Sequence, residues 1–149
     1  MIKRYQRNLI EFAYPENWQL VAPDDDYLPK EISLESPDGC FWVLHAFGKD
    51  RDSGELMAEV IKTFEANYED FEYEPVPTDL EPAPSEAIQA DFFCLDFLVT
   101  ARMMLFEHQS LTYIVIQQAE SRQFDKMALV FDAITTSLIG TLPAQDIDP

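Results

Sequence analysis

The stretch Cys40–Phe47, CFWVLHAF, decides the fold because it is apolar on both of the faces that a β-strand presents. Successive side chains of a strand point to opposite faces. One face therefore carries Phe41, Val43, His45 and Phe47, and the other carries Trp42, Leu44 and Ala46. A strand of this kind belongs inside a sheet that is packed on each side. We therefore predict a layered domain with a twisted antiparallel sheet at its centre.

Turn residues divide the chain before this strand into short extended segments. Pro37-Asp38-Gly39 is a strong turn signal, so Ile32–Ser36 and the two-faced strand are predicted to form a β-hairpin. Further upstream, the alternation in Asn8–Tyr14 predicts another strand. Pro15-Glu16-Asn17 then predicts a turn, and Trp18–Val21 predicts a second short strand.

The first amphipathic helix is predicted from Asp52 to about Glu69. Asp52 or Ser53 can cap its first turn, and Glu55 stands three residues after Asp52 as in a capping box. Its apolar stripe consists of Leu56, Val60, Ile61, Phe64 and Tyr68. The helix therefore has one face that can cover a sheet.

A second amphipathic helix is predicted over Arg122–Ile139, with Ser121 as its candidate cap. Gly140 suits the position after the last turn, and Pro143 stops any continuation. The apolar stripe consists of Phe124, Met127, Ala128, Phe131, Ile134 and Leu138. With two such helices, the simplest arrangement covers each face of the sheet with one of them.

The region between the helices is predicted to be rich in strands. Four segments are extended by composition, and they are Phe71–Val76, Ile88–Val99, Thr100–Glu107 and Leu111–Ala119. Four prolines make Pro75–Ser85 a surface loop, and His108-Gln109-Ser110 is a predicted turn. The segment from Ile88 is either one long bent strand or two strands joined near Asp96. The fold class is therefore α+β, an α/β/α sandwich whose sheet has about six strands.

Length and charge limit the function. A chain of 149 residues is predicted to form one domain over 1–149, with 1–7 and 144–149 as flexible termini. It carries 28 acidic and 10 basic residues, a net charge of −18, which disfavours nucleic acid and anionic membranes as partners. Lys3, Arg4 and Arg7 are typical of a solvated terminus. Neither a signal peptide nor a membrane span is predicted, so the expected location is cytoplasmic.

The sequence predicts no catalytic residue, cofactor or metal site. The four glycines are scattered, so a phosphate-binding loop is not expected. His45 is interpreted as a satisfied core or interface residue, and His108 as a solvated turn residue. Cys40 and Cys94 are predicted to be buried free thiols. Asp24-Asp25-Asp26 lacks the pattern of a calcium loop and is predicted to be solvated.

The order of these elements resembles that of the PsbP-like superfamily. The residues that carry the resemblance are Ile10–Trp18, with its local motif Tyr14-Pro15-Glu16-Asn17-Trp18, the helix Ser53–Tyr68, the strands Ala90–Ala119 and the final helix Phe124–Leu138. The resemblance spans nearly the whole chain. It implies an α/β/α sandwich with the helices on opposite faces of the sheet.

The superfamily includes photosystem II extrinsic subunits, Ran-binding Mog proteins and bacterial chaperones that load type VI secretion effectors. These are largely protein-binding modules. This chain departs from them at Asn17, where many relatives place glycine, and no targeting segment like that of the photosystem subunits is predicted. No residue matches a functional motif of any branch, so the resemblance implies the fold and a broad role only.

The function expected from the sequence is non-enzymatic binding of another protein, as an adaptor or chaperone, with the oligomeric state left open. The alternative is a small-molecule binding protein with a pocket between sheet and helix. In that case Phe41, Trp42, Phe92 and Phe93 would line the cavity, although core packing is favoured for them. An enzyme of an unrecognised type is the third hypothesis.

Overall fold

The structure, a computed structural model, describes residues 1–108 and 111–140. These residues form nine strands and two helices: β1 (Ile2–Arg7), β2 (Ile10–Pro15), β3 (Gln19–Val21), β4 (Lys30–Glu35), β5 (Phe41–Phe47), α1 (Ser53–Asn67), β6 (Glu69–Pro75), β7 (Glu86–Cys94), β8 (Phe97–Glu107), β9 (Thr112–Glu120) and α2 (Ser121–Ile139). Neither helix is both long enough and apolar enough to cross a membrane.

Seven of the strands form one antiparallel sheet in the order β3-β4-β5-β9-β8-β7-β6. The α+β class is confirmed, with seven strands in the sheet where about six were expected. The hairpin of β4 and β5 is also confirmed, and Gly39 takes a φ of 80° in its turn. Strand β5 pairs on its other side with β9, so that His45 lies opposite Ile114.

The two helices cover opposite faces of this sheet, as predicted. On one face, α2 packs Phe131, Ile134 and Leu138 against the side of β5 that carries Trp42 and Leu44. On the other face, α1 packs Leu56 and Met57 against the alternate residues of β7, β8 and β9. The predicted stripe of α1 omitted Met57, which is almost fully buried.

The segment 1–7 was predicted to be flexible, which is wrong, because it forms β1 and pairs residue by residue with β2. The turn between them is Asn8-Leu9, and Asn8 takes a φ of 54°, a left-handed conformation that Asn tolerates well. The resulting two-stranded sheet lies outside the main sheet. Phe12 of β2 packs on Trp42 with ring centroids 4.9 Å apart, so the hairpin shares the α2 face.

The ends of α1 and α2 differ in how well the sequence predicted them. Asp52 caps α1 as expected, since its Oδ1 accepts hydrogen bonds from the N–H groups of Gly54 and Glu55.

The start of α2 differs from the prediction. Ser121 does not cap α2 but is its first residue, and its Oγ lies 2.7 Å from Thr100 Oγ1. Gly140 follows the last residue of α2, as expected, and keeps a helical backbone with a φ of −64°. Pro143 and 144–149 lie outside the described residues.

The segment Ile88–Val99 is two strands rather than one. Strands β7 and β8 pair from Cys94 and Phe97 onward, and a two-residue turn of Leu95 and Asp96 joins them. Leu95 adopts a φ of 58° in this turn. The sequence left this junction near Asp96 as one of two alternatives, because the turn contains neither glycine nor asparagine to decide between them. The second predicted turn, at His108, continues into residues 109–110, which lie outside the described residues.

A buried polar chain connects the sheet to α2 within the apolar layer. Trp42 Nε1 donates to Thr135 Oγ1 over 2.9 Å, and Thr135 Oγ1 donates to Gln117 Oε1 over 2.7 Å. All three side chains are at most 1% exposed. Gln117 Nε2 in turn donates to Asp132 Oδ1 over 3.3 Å. These bonds fix which turn of α2 lies over β5 and β9.

Phe131→Ala tests whether α2 covers a core. Phe131 is fully buried and contacts Trp18 and Phe124, so we expect a loss of about 3–5 kcal/mol in the free energy of unfolding. Leu129→Ala is the matched control, since Leu129 lies on the same helix and is 85% exposed. Its loss should stay within about 0.5 kcal/mol. Urea denaturation measures both, and a loss below about 1 kcal/mol for Phe131→Ala would contradict the packing.

Thr135→Val tests the buried polar chain at nearly constant shape. The substitution leaves Trp42 Nε1 without its acceptor, so we expect a destabilisation of about 1–3 kcal/mol. Thr136→Val is the control because Thr136 is the exposed neighbour on the same helix. Equal stabilities of the two variants in urea denaturation would show that the chain contributes nothing.

Candidate interaction surface

The tip of the β7–β8 hairpin exposes four large apolar side chains. Their exposed fractions are 40% for Phe93, 88% for Leu95, 58% for Phe97 and 42% for Leu98, and we call these four residues the tip surface. Single exposed apolar residues are ordinary on a protein surface. Four within six consecutive residues concentrate exposed apolar area at the end of one hairpin, which is typical of an interaction site.

The register of the hairpin explains why the tip is apolar on both sides. Within β7 and β8, side chains such as Phe92 and Met103 point towards α1, while their neighbours point towards α2. By this alternation Phe97 lies on the α1 side of the sheet, and Phe93 and Leu98 lie on the α2 side. The hairpin therefore presents apolar side chains to solvent on both faces at the end of the sheet.

Leu95 has the most exposed side chain of the tip surface and the least favourable backbone. Its φ of 58° lies in the left-handed region, where an L-residue with a bulky side chain is disfavoured by about 1–2 kcal/mol. The side chain recovers little of this cost by burial, since 88% of it is exposed. Strain of this kind is common at functional sites. Packing within the chain therefore does not account for a leucine here.

A shallow groove of about 320 Å³ lies beside the tip on the α1 side of the sheet. Leu95 and Phe97 line it, together with Phe41 at the start of β5. The half-buried side chain of Cys94 and that of Val99 also line it. Leu95 and Phe97 of the tip surface therefore join the groove in one apolar area on the α1 side of the sheet. Phe93 and Leu98 lie on the other face.

Acidic side chains border this area. Asp96 lies in the turn itself, and Glu120 lines the groove. Glu120 also lines an adjoining polar hollow together with Asp38. Arg122 Nε, 2.9 Å from Glu120 Oε1, is the cation paired with this border. The apolar area is thus enclosed mainly by negative charge.

The two cysteines are free thiols, as predicted, but only Cys40 is fully buried. Burial raises the pKa of the Cys40 thiol above its ordinary value, although a hydrogen bond with Ser36 opposes this rise. Cys40 therefore stays protonated near neutral pH. Cys94 is half-buried in the groove rather than in a core.

Of the two histidines, only His108 lies in an environment that contradicts its prediction. His45 is half-buried on β5, where desolvation lowers its pKa and Glu31, at 3.7 Å from its Nδ1, opposes the shift. The interpretation of His108 as solvated is wrong, because it is only 6% exposed. Its backbone N–H donates to the carbonyl of Leu111 over 3.0 Å.

The four aromatic residues of the small-molecule hypothesis do not meet in one cavity. Trp42 lies in the core under α2, and Phe92 lies in the core under α1, on opposite faces of the sheet. Phe41 and Phe93 are each more than one third exposed. Trp42 and Phe92 are therefore core residues. Phe41 and Phe93 are available for contacts at the surface.

A cavity of about 530 Å³ does exist elsewhere, where Arg7 and Lys30 meet the loop that contains the three aspartates. Arg7 Nε donates to Asp26 Oδ1 over 2.7 Å, which lowers the pKa of the Asp26 carboxyl. Lys30, almost fully buried, donates through Nζ to the carbonyl of Asp25. Arg7 therefore pairs with the aspartate loop, although it was predicted to lie in a solvated terminus. Within the described ranges, no three His, Cys, Asp or Glu side chains are grouped as metal ligands.

Comparisons with known proteins give a fold and no family assignment. No family model matches the chain, and no curated protein matches it either. A solved structure is similar: the solution structure of CyanoP, the cyanobacterial PsbP of Synechocystis sp. PCC 6803. The fold is PsbP-like. The alignment covers 91% of this chain and 90% of CyanoP with a TM-score of 0.60, at 14% sequence identity.

The sequence motifs did not reveal the tip surface. The hexapeptide Phe93–Leu98, FCLDFL, contains five apolar residues and a single acid, which is also typical of a buried strand. What distinguishes it is the turn at its centre, which places its apolar residues at the end of a hairpin. A turn assignment near Asp96 would have been the signal that these residues are exposed.

Leu95→Asn tests whether the leucine is conformationally unfavourable in the folded chain. Asn adopts the left-handed region readily, so we expect the free energy of unfolding to rise by about 0.5–1.5 kcal/mol. Leu129→Asn is the control, because Asn within a helix should lower stability by about 0.5 kcal/mol. Thermal and urea denaturation measure both changes. A loss of stability in Leu95→Asn would show that the side chain supports the fold.

Proposed function

We propose that this chain is a non-enzymatic protein-interaction domain that binds its partner through the tip surface. The observation that carries the proposal is Leu95, an almost fully exposed leucine in a left-handed turn. Its side chain is presented to solvent at a cost to the fold. Binding of a partner gives that side chain a physical role, because burial of an exposed leucine contributes about 1.5–3 kcal/mol.

Two further observations support an interaction role. The tip surface continues into the groove around Phe41 and Cys94, and this enlarges the apolar area available for contact. The PsbP-like superfamily, which the element order resembles, consists largely of protein-binding modules. An adaptor or a chaperone is the form of this function that we propose, with the sheet, covered on both faces, as the support for the tip.

Site-specific photo-crosslinking tests the proposal in cells of the native organism. The photoreactive analogue p-benzoylphenylalanine replaces Phe97 in one variant and Leu129 in another, since both side chains are exposed and apolar. We expect a discrete crosslinked product from position 97 and none of the same size from position 129. Introducing Leu95→Asn beside the probe at 97 should reduce the yield severalfold, because it removes a contact without unfolding the chain.

The outcomes separate the hypotheses. A product of equal yield from both positions indicates nonspecific contact and contradicts the proposal. So does the absence of any product from position 97 in cells that contain the folded protein at its native level. Denaturation curves of the purified variants establish that each one folds.

A further inference from the structure

The charge around the tip surface constrains what can bind there. Asp96 is in the turn, Glu120 lines the groove, and Asp38 lines the hollow next to it. Arg122 pairs with Glu120 and compensates one of these charges. A partner that covers the apolar area brings its own flanking residues close to this acidic border. Opposite charges there speed association and suppress wrong partners, whereas like charges are repelled.

These negative charges disfavour three kinds of molecule as ligands of the tip surface. A second copy of the chain would bring another net charge of −18 and a second acidic border to the contact. Nucleic acid and an anionic membrane surface are repelled for the same reason. A segment of a different protein that contains both apolar and basic residues would match the apolar area and its acidic border.

We propose that the tip surface and its groove bind a short partner segment whose apolar side chains are flanked by lysine or arginine. This inference rests on the proposed function and adds the chemistry of the partner. The apolar side chains of the segment contact Leu95 and Phe97 and enter the groove beside Phe41. The flanking cations lie against Asp38 and Asp96. The groove, at about 320 Å³, is at the small end of the range of about 300–1,000 Å³ for ligand pockets, which suits a few anchoring side chains.

Three fluorescein-labelled synthetic peptides separate the two parts of this recognition. The first has a six-residue centre of Leu and Phe with two Lys at each end, and the second has the same centre with two Glu at each end. The third keeps the Lys ends around a centre of Ser. Fluorescence anisotropy at about 0.15 M salt, where the screening length is about 8 Å, limits attraction by net charge alone. We expect the first peptide to bind at least about tenfold more tightly than either of the others.

Variants of the protein locate the binding. Leu95→Ser combined with Phe97→Ser should weaken the first peptide about tenfold or more, because two apolar contacts are lost. Asp38→Asn combined with Asp96→Asn should weaken it severalfold and reduce the salt dependence of binding. Leu129→Ser, which removes an equally exposed leucine from α2, should leave the affinity unchanged.

Each contrary result overturns the inference in a distinguishable way. If the Glu-ended peptide binds as well as the Lys-ended one, the partner is not basic, and the crosslink at position 97 still decides the proposed function. If the Ser-centred peptide binds equally well, recognition is by charge alone. If the double serine variant binds the first peptide like the unmodified protein, the tip is not the site. If sedimentation equilibrium shows a dimer that the double serine variant does not form, a second copy of the chain binds the tip surface instead.

Discussion

The structure depends on one constraint: the central strands of the sheet are apolar on both faces, so both faces must be covered. Strand β5 and its neighbour β9 each place side chains in the core under α2 and in the core under α1. Burial of apolar area on both sides of one sheet requires two layers, and the chain supplies them with its two amphipathic helices. The hairpin of β1 and β2 completes the α2 layer, where Phe12 packs on Trp42.

The parts of the fold that follow from periodicity could be predicted from the sequence. The two-faced strand Cys40–Phe47 and the helix stripe that contains Phe131 are regular patterns over many residues, so errors at single positions do not change the outcome. The turn at Pro37-Asp38-Gly39 was equally predictable, because the residue types match the conformation that Gly39 adopts.

The parts that depend on tertiary context could not be predicted in this way. Segment 1–7 is polar and pairs only because Asn8 turns it back along β2. Ser121 has the composition of a helix cap, yet its hydroxyl contacts Thr100 instead. The turn at Leu95 contradicts the turn preferences of the sequence. The candidate site lies at that contradiction, and a conflict between local preference and global fold is expected where function rather than stability selects a residue.

The acidic charge of the chain has different consequences at different places. At the edge of the sheet, β6 carries Glu69, Asp70, Glu72 and Glu74 beside an irregularity in its pairing with β7. Charges and irregular pairing on an edge strand prevent it from joining the strand of another molecule. The tip between β7 and β8, next to β6 in the sheet, is apolar instead, because it exposes Leu95 and Phe97. The negative charge that protects the edge strand thus lies beside exposed apolar side chains at the tip, and under the proposed function it favours partners that carry positive charge.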